Sequence, residues 1–158
     1  MTGFRGTRAP IDLGGRDLVR RDGPCFEAVV PADGAAMAAS LAPALHQALR
    51  EHGYALIRGL ELGGAEGFLA FAGAVTPDLC SGYPELPRLA DGSFCHRATP
   101  YPSELAIRFH NEAAHRARWP RHQWFLAETV AEEGGRTLLV DGRQVLAALR
   151  PTLRAELQ

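Results

Sequence analysis

Apolar residues recur every four positions at Met37, Leu41, Leu45 and Leu49, which predicts one buried face of a helix. Asp33 stands where an N-cap belongs and Gly53 where a C-cap belongs. Pro43 lies between them, so the pattern predicts a kinked helix or two short ones. The run "YALIRGL" (Tyr54 to Leu60) reads as a buried strand. In "GGAEGFLAFAGAV", the residues Phe68, Leu69, Phe71 and Ala72 share one side of a short amphipathic helix. Residues 1–32 are rich in Gly, Pro, Arg and Asp, which predicts a loose N-terminal arm with one edge strand around Phe26 to Val30.

From Thr76 to Pro102 prolines and glycines break every pattern, so a long irregular loop is expected. Strand-like character resumes in "SELAIRFHNE", in His122 to Val130 and in "RTLLVD", with a turn at Glu132 to Gly135. The paired glycines of that turn serve its geometry. Asp141 then predicts a helix start, with Gln144 as its capping-box partner and an apolar stripe of Val145, Leu146 and Leu149. Pro151 marks a break or a second helix start. The order is mixed at first and strand-rich from about residue 104, an α+β chain without internal repeats.

The length of 158 residues suits one domain, and 46% hydrophobic residues suffice for a core. No apolar run approaches the roughly 20 residues of a membrane span. The first ten residues carry no apolar core of a secretory signal, and three cysteines are too few for a disulfide framework, so a reducing cytoplasm is expected. A net charge of -1 argues against a general nucleic-acid binder. All 17 basic residues are arginine. Without lysine the chain has no Schiff-base or P-loop lysine, which removes PLP enzymes, lysine aldolases and standard P-loop NTPases.

The candidate chemistry lies in "FHNE". In a strand, His110 and Glu112 project to one face and can converge on one ion. In a helix they would point about 200° apart. A histidine and a carboxylate are part of the 2-His-1-carboxylate set of non-haem iron oxygenases. The spacing alone fits equally a solvated strand end. Glu112 and His115 have the E-x-x-H spacing of di-iron bundles, but those need a second such motif and two further glutamates. Neither H-E-x-x-H nor G-x-S-x-G is present. Arg108, Arg116, Arg118 and Arg121 form a cluster that either draws in an anion or is a solvated face.

These pieces occur in a telling order. "YPSELAIRFHNEAAH", "RWPRHQWFLAETVAEEGGRT" and "LLVDGRQVLAALRP" resemble the taurine dioxygenase (TauD/TfdA-like) family of Fe(II)/2-oxoglutarate oxygenases, closest to its syringomycin-biosynthesis hydroxylase branch. "HGYALIRGL" and "LPR" upstream resemble it too, so the likeness covers roughly residues 40–158. It implies a double-stranded β-helix, or jelly roll, with flanking helices, here partial and stopping before the late strands. Residues 33–158 would be the N-terminal part of one oxygenase domain. By this resemblance His110 and Glu112 are iron ligands and Thr137 meets the 2-oxoglutarate carboxylate. Asn111 and the Tyr101-Pro102 loop lie near substrate. The implied cofactors are Fe(II) and 2-oxoglutarate. A carboxylate at 112, rather than a small residue, implies hydroxylation or desaturation instead of halogenation. The implied substrate is an amino acid or a carrier-bound amino acyl group.

The family's second histidine and its 2-oxoglutarate-binding arginine come later than any residue here, and only His115 and His122 follow the pair. Three expectations follow: an N-terminal fragment of a longer enzyme, a subunit completed by a second chain, or a non-catalytic remnant that binds or oligomerises through uncovered strands. A cupin-like metal site of His110, Glu112 and His122 is a further alternative.

Overall fold

A computed structural model of the chain describes residues 18–20, 25–80, 94–96, 102, 105–135 and 137–157. They fall into two units, Met1–Tyr101 with Trp124–Leu126, and Pro102–Gln123 with Ala127–Gln158.

The first unit is built on a three-stranded sheet in the order β1 (Leu18–Arg20), β2 (Cys25–Asp33), β3 (Leu56–Glu61). β1 pairs antiparallel with β2, placing Leu18 opposite Ala28. β2 pairs parallel with β3, and the register shifts between Glu27 and Ala32. A parallel pair needs a crossover, and α1 (Gly34–His52) supplies it. β2 therefore runs across the expected arm boundary at residue 32 and leads directly into α1.

α1 starts as its residues predict. The Asp33 carboxylate accepts the Ala36 N–H at 3.3 Å, so an otherwise orphaned first-turn donor is satisfied. Pro43 does not split the helix. Its missing N–H leaves one carbonyl of the preceding turn without its helical donor, and Pro43 and Ala39 both face water, which can take that bond. Gly53 ends the helix at φ 81°, with its N–H donating to the Leu49 carbonyl at 2.9 Å. Only a residue tolerant of the left-handed region closes a helix this way without strain.

Met37, Ala38, Leu41, Leu45 and Ala48 of α1 pack with Phe71 and Val75 of α2 (Ala65–Val75) as the buried core. Leu49, predicted to complete the stripe, is half-buried and Ala48 replaces it. Twelve residues at 3.6 per turn overshoot Met37 by about 120°, whereas eleven miss by only about 20°. Ile57 and Leu60 of β3 and the ring of Trp124 cover the core. Trp124 meets Phe71 edge-on, with centroids 5.9 Å apart and planes at 87°. Trp124 lies in a segment expected to be a strand, yet residues 122–130 are in neither helix nor strand.

The second unit holds two short helices, α3 (Gly142–Ala148) and α4 (Pro151–Glu156), with Pro151 at the first turn of α4. Neither helix buries a residue, so Val145 and Leu146 of the expected apolar stripe are exposed. Residues 105–111 and 137–140, expected as strands, are in neither helix nor strand. Alternating side chains do not make a strand unless a neighbour takes up the backbone N–H and C=O groups. Among the described residues no backbone group does so for 106–109 or 138–140, and the Arg108 carbonyl accepts from the His110 ring instead. Tyr101 and most of the expected 76–102 loop lie outside the described residues. No described helix is long and apolar enough to cross a membrane.

The cap of α3 differs from the expected box. Asp141 accepts the Arg143 N–H at 2.9 Å, and Arg143 folds back so that Nε and Nη2 both reach its carboxylate at 2.9 Å. Gln144 donates its backbone N–H to the Asp141 carbonyl instead of closing a side-chain box. The bidentate arginine is the stronger competitor for that carboxylate. It holds the Asp141 carboxyl below the usual carboxylate range, the side-chain bond being the main cause. A depressed folded value means that the cap's contribution is present above the ordinary aspartate range, ~3.9, and is lost as pH falls through the folded value. Acidification below that range is therefore expected to fray α3. Backbone chemical shifts of Arg143 and Gln144 should move toward coil values on acidification, and Asp141→Ala should show those shifts already at neutral pH.

Candidate metal centre

His110 and Glu112 sit on irregular chain entering a turn, not on a strand, yet their side chains converge. His110 Nε2 lies 3.7 Å from Glu112 Oε2. Two metal–ligand bonds of about 2.1 Å span at most about 4.2 Å, so both atoms can reach one ion. The imidazole is 57% exposed and the carboxylate 23%, which leaves the pair open to solutes.

The ring is held in a defined orientation. His110 Nδ1 lies 2.7 Å from the Arg108 carbonyl oxygen. A carbonyl only accepts, so Nδ1 carries the proton in this contact. In a neutral ring Nε2 then keeps its lone pair, directed to the side where Glu112 stands. Metal-bound histidines are fixed by this kind of outer hydrogen bond.

A turn after Glu112 sets the carboxylate. Ala114 donates to the Asn111 carbonyl at 3.3 Å and Arg116 to the Ala113 carbonyl at 3.0 Å. Between them Ala113 adopts φ 55° and is buried. The left-handed region costs a non-glycine residue about 1–2 kcal/mol. This strain sits beside the two converging donors, the setting in which strained backbone tends to mark a functional site. No glycine or asparagine at 113 announces the conformation. Neither it nor the role of the Arg108 carbonyl is readable from residue types.

The remaining candidates are less gathered. Asn111 is exposed and contributes its backbone carbonyl to the turn. Thr137 is exposed and makes no hydrogen bond among the described residues. It follows Gly134 and Gly135, at φ 73° and 61°, so the glycine pair serves turn geometry as expected. Tyr101 lies outside the described residues. Among the described residues no third His, Cys, Asp or Glu joins the pair. His122 is not gathered with His110 and Glu112 into the cupin-like set.

Two donors of suitable type and spacing fit an iron ion as part of its ligand set. Comparison with known families matches the chain to the family described as Taurine catabolism dioxygenase TauD, TfdA family, over residues 18–158. The comparison with curated proteins and the comparison with solved structures each gave no match.

Proposed function

Because this chain belongs to the taurine catabolism dioxygenase TauD/TfdA family, whose members depend on Fe(II) and 2-oxoglutarate, we propose that His110 and Glu112 are two iron ligands of such an oxygenase. The observation that carries this reading is the 3.7 Å approach of His110 Nε2 to Glu112 Oε2, with Nδ1 anchored on the Arg108 carbonyl. When bound, iron would supply an O2-dependent oxidation in which 2-oxoglutarate, O2 and a C–H substrate give succinate, CO2 and the hydroxylated product.

The chain's own contribution is positioning. Arg108 holds the His110 tautomer through its carbonyl. The strained turn at Ala113 fixes Glu112. Thr137 offers a hydroxyl that can donate to a carboxylate of 2-oxoglutarate, and Asn111, next to both ligands, offers an amide to a substrate. An amino acid or carrier-bound amino acyl group is the proposed substrate, as in the syringomycin-type branch. The remaining iron ligand and an arginine for 2-oxoglutarate would come from polypeptide beyond these 158 residues, arranged as the late strands of a jelly roll. A reducing cytoplasm suits Fe(II) and three cysteines that form no disulfide.

A two-ligand pair leaves iron weakly held. Under anaerobic equilibrium dialysis the purified chain is expected to retain up to one Fe(II) per chain, and more tightly with 2-oxoglutarate present. Thr137→Val should reduce only the 2-oxoglutarate-dependent gain. Retention equal to that of a protein without such a pair would overturn the reading.

The exposed Leu105, Ile107 and Phe109 support a second reading, a non-catalytic module that acts by association. Succinate formed from 2-oxoglutarate by the purified chain would exclude it.

A further inference from the structure

We propose that Arg118, Trp119 and Arg121 form a docking surface for an acidic face of another protein. The docking requires no iron at His110 and Glu112, so it stands or falls separately from the oxygenase reading.

The charge is local and uncompensated. Residues 113–127 contain Arg116, Arg118 and Arg121 and no aspartate or glutamate. That stretch carries a net +3 in a chain of net -1, so the other residues carry a net -4. Arginine keeps its proton at any working pH, which makes the charge permanent. Arg118 and Arg121 are exposed, and among the described residues neither has an ion pair or a side-chain hydrogen bond. Like charges gathered in one stretch repel one another, and no described carboxylate pairs with these two guanidinium groups.

An apolar anchor stands between them. Trp119 is 69% exposed, with Arg118 before it and Pro120 and Arg121 after it. Tryptophan and arginine are the residue types that most often carry the binding energy of protein interfaces. The exposure of this stretch is not that of an unfilled strand. Residues 112–118 follow turns and bends, and Pro120 lacks the N–H that strand addition needs. The stretch is fixed where it begins, since Arg116 donates its N–H to the carbonyl of the buried Ala113 at 3.0 Å. It therefore follows Glu112 along the chain from a defined turn.

Charge and apolar area together select the occupant. A bare anion offers no apolar surface for Trp119 to cover. A long nucleic acid would reach past the patch onto a molecule that is otherwise net -4 and repels it. A protein face with carboxylates around an apolar residue complements both features.

Fluorescence anisotropy of a fluorescein-labelled peptide, with glutamates on both sides of a leucine pair, tests this on the purified chain in EDTA. Saturable binding is expected at low salt and should weaken as added salt screens the charges. Arg118→Gln with Arg121→Gln should weaken it about fivefold, the scale of two exposed ion pairs. Trp119→Ala should weaken it by a similar factor. Arg150→Gln with Arg154→Gln removes the same charge from exposed positions of the same unit and should leave binding nearly unchanged. All the substituted residues are exposed, so helical circular dichroism should be retained. Absence of binding, equal effects of the two arginine pairs, or no effect of Trp119→Ala would overturn the proposal. So would tighter binding of an oligothymidylate of equal charge, or full competition by inorganic phosphate at the same concentration of charge.

Discussion

Leu41→Ala is expected to destabilise the first unit by about 2–5 kcal/mol, the range for truncating a fully buried leucine. Leu41 is completely buried in α1, among Leu45, Phe71 and Val75. The truncation removes the transfer free energy of the lost methyl groups and leaves a void that α1 and α2 can only partly close. Domains of this size are stable by roughly 5–15 kcal/mol in total, so the loss is a large share. Urea denaturation followed by far-UV circular dichroism should show a lower midpoint with little change in slope. Leu49→Ala, one turn from the end of the same helix and only half-buried, should cost clearly less. Equal losses at the two positions would contradict the helical phase that substitutes Ala48 for Leu49 in the core.

The second large effect concerns the metal pair. His110→Ala should lower Fe(II) affinity by more than about 100-fold, because losing an outer-shell partner alone costs 10–100-fold. Glu112→Ala should do the same. His115→Ala, a nearby exposed imidazole without a place in the converging pair, should leave affinity unchanged. Equilibrium dialysis or competition with a chromophoric chelator measures all three. All three variants change exposed or half-exposed side chains, so helical circular dichroism should remain, which separates lost binding from lost folding. Loss of binding in His115→Ala but not in His110→Ala would place the metal elsewhere.

Local pattern carried most of the first unit. Spacing, caps and punctuation located α1 and α2, because a helix depends on contacts between residues close in sequence, and the apolar run at 54–60 located β3 without showing its partner. Asp33 and Gly53 act as predicted because a cap is satisfied within one turn of the helix. β1 was not anticipated, since three residues are too few to show a period. The parallel β2–β3 pairing was also invisible, because it joins positions some thirty residues apart and depends on how α1 crosses between them.

The candidate site divides in the same way. Its residue types, their order along the chain and the family likeness were legible in the sequence, since ligand chemistry requires particular side chains. A strand was expected to bring His110 and Glu112 together by its two-residue period. The structure brings them together without one, through a carbonyl that orients the ring and an alanine held at positive φ. Backbone direction at a turn is set by packing and hydrogen bonding, which residue identity constrains weakly. By itself, then, the sequence determined which groups are available for chemistry and which helix faces are apolar. Tertiary structure alone decided which elements pair, where the core lies and which apolar segments remain exposed, because these depend on contacts between residues that the chain only brings together by folding.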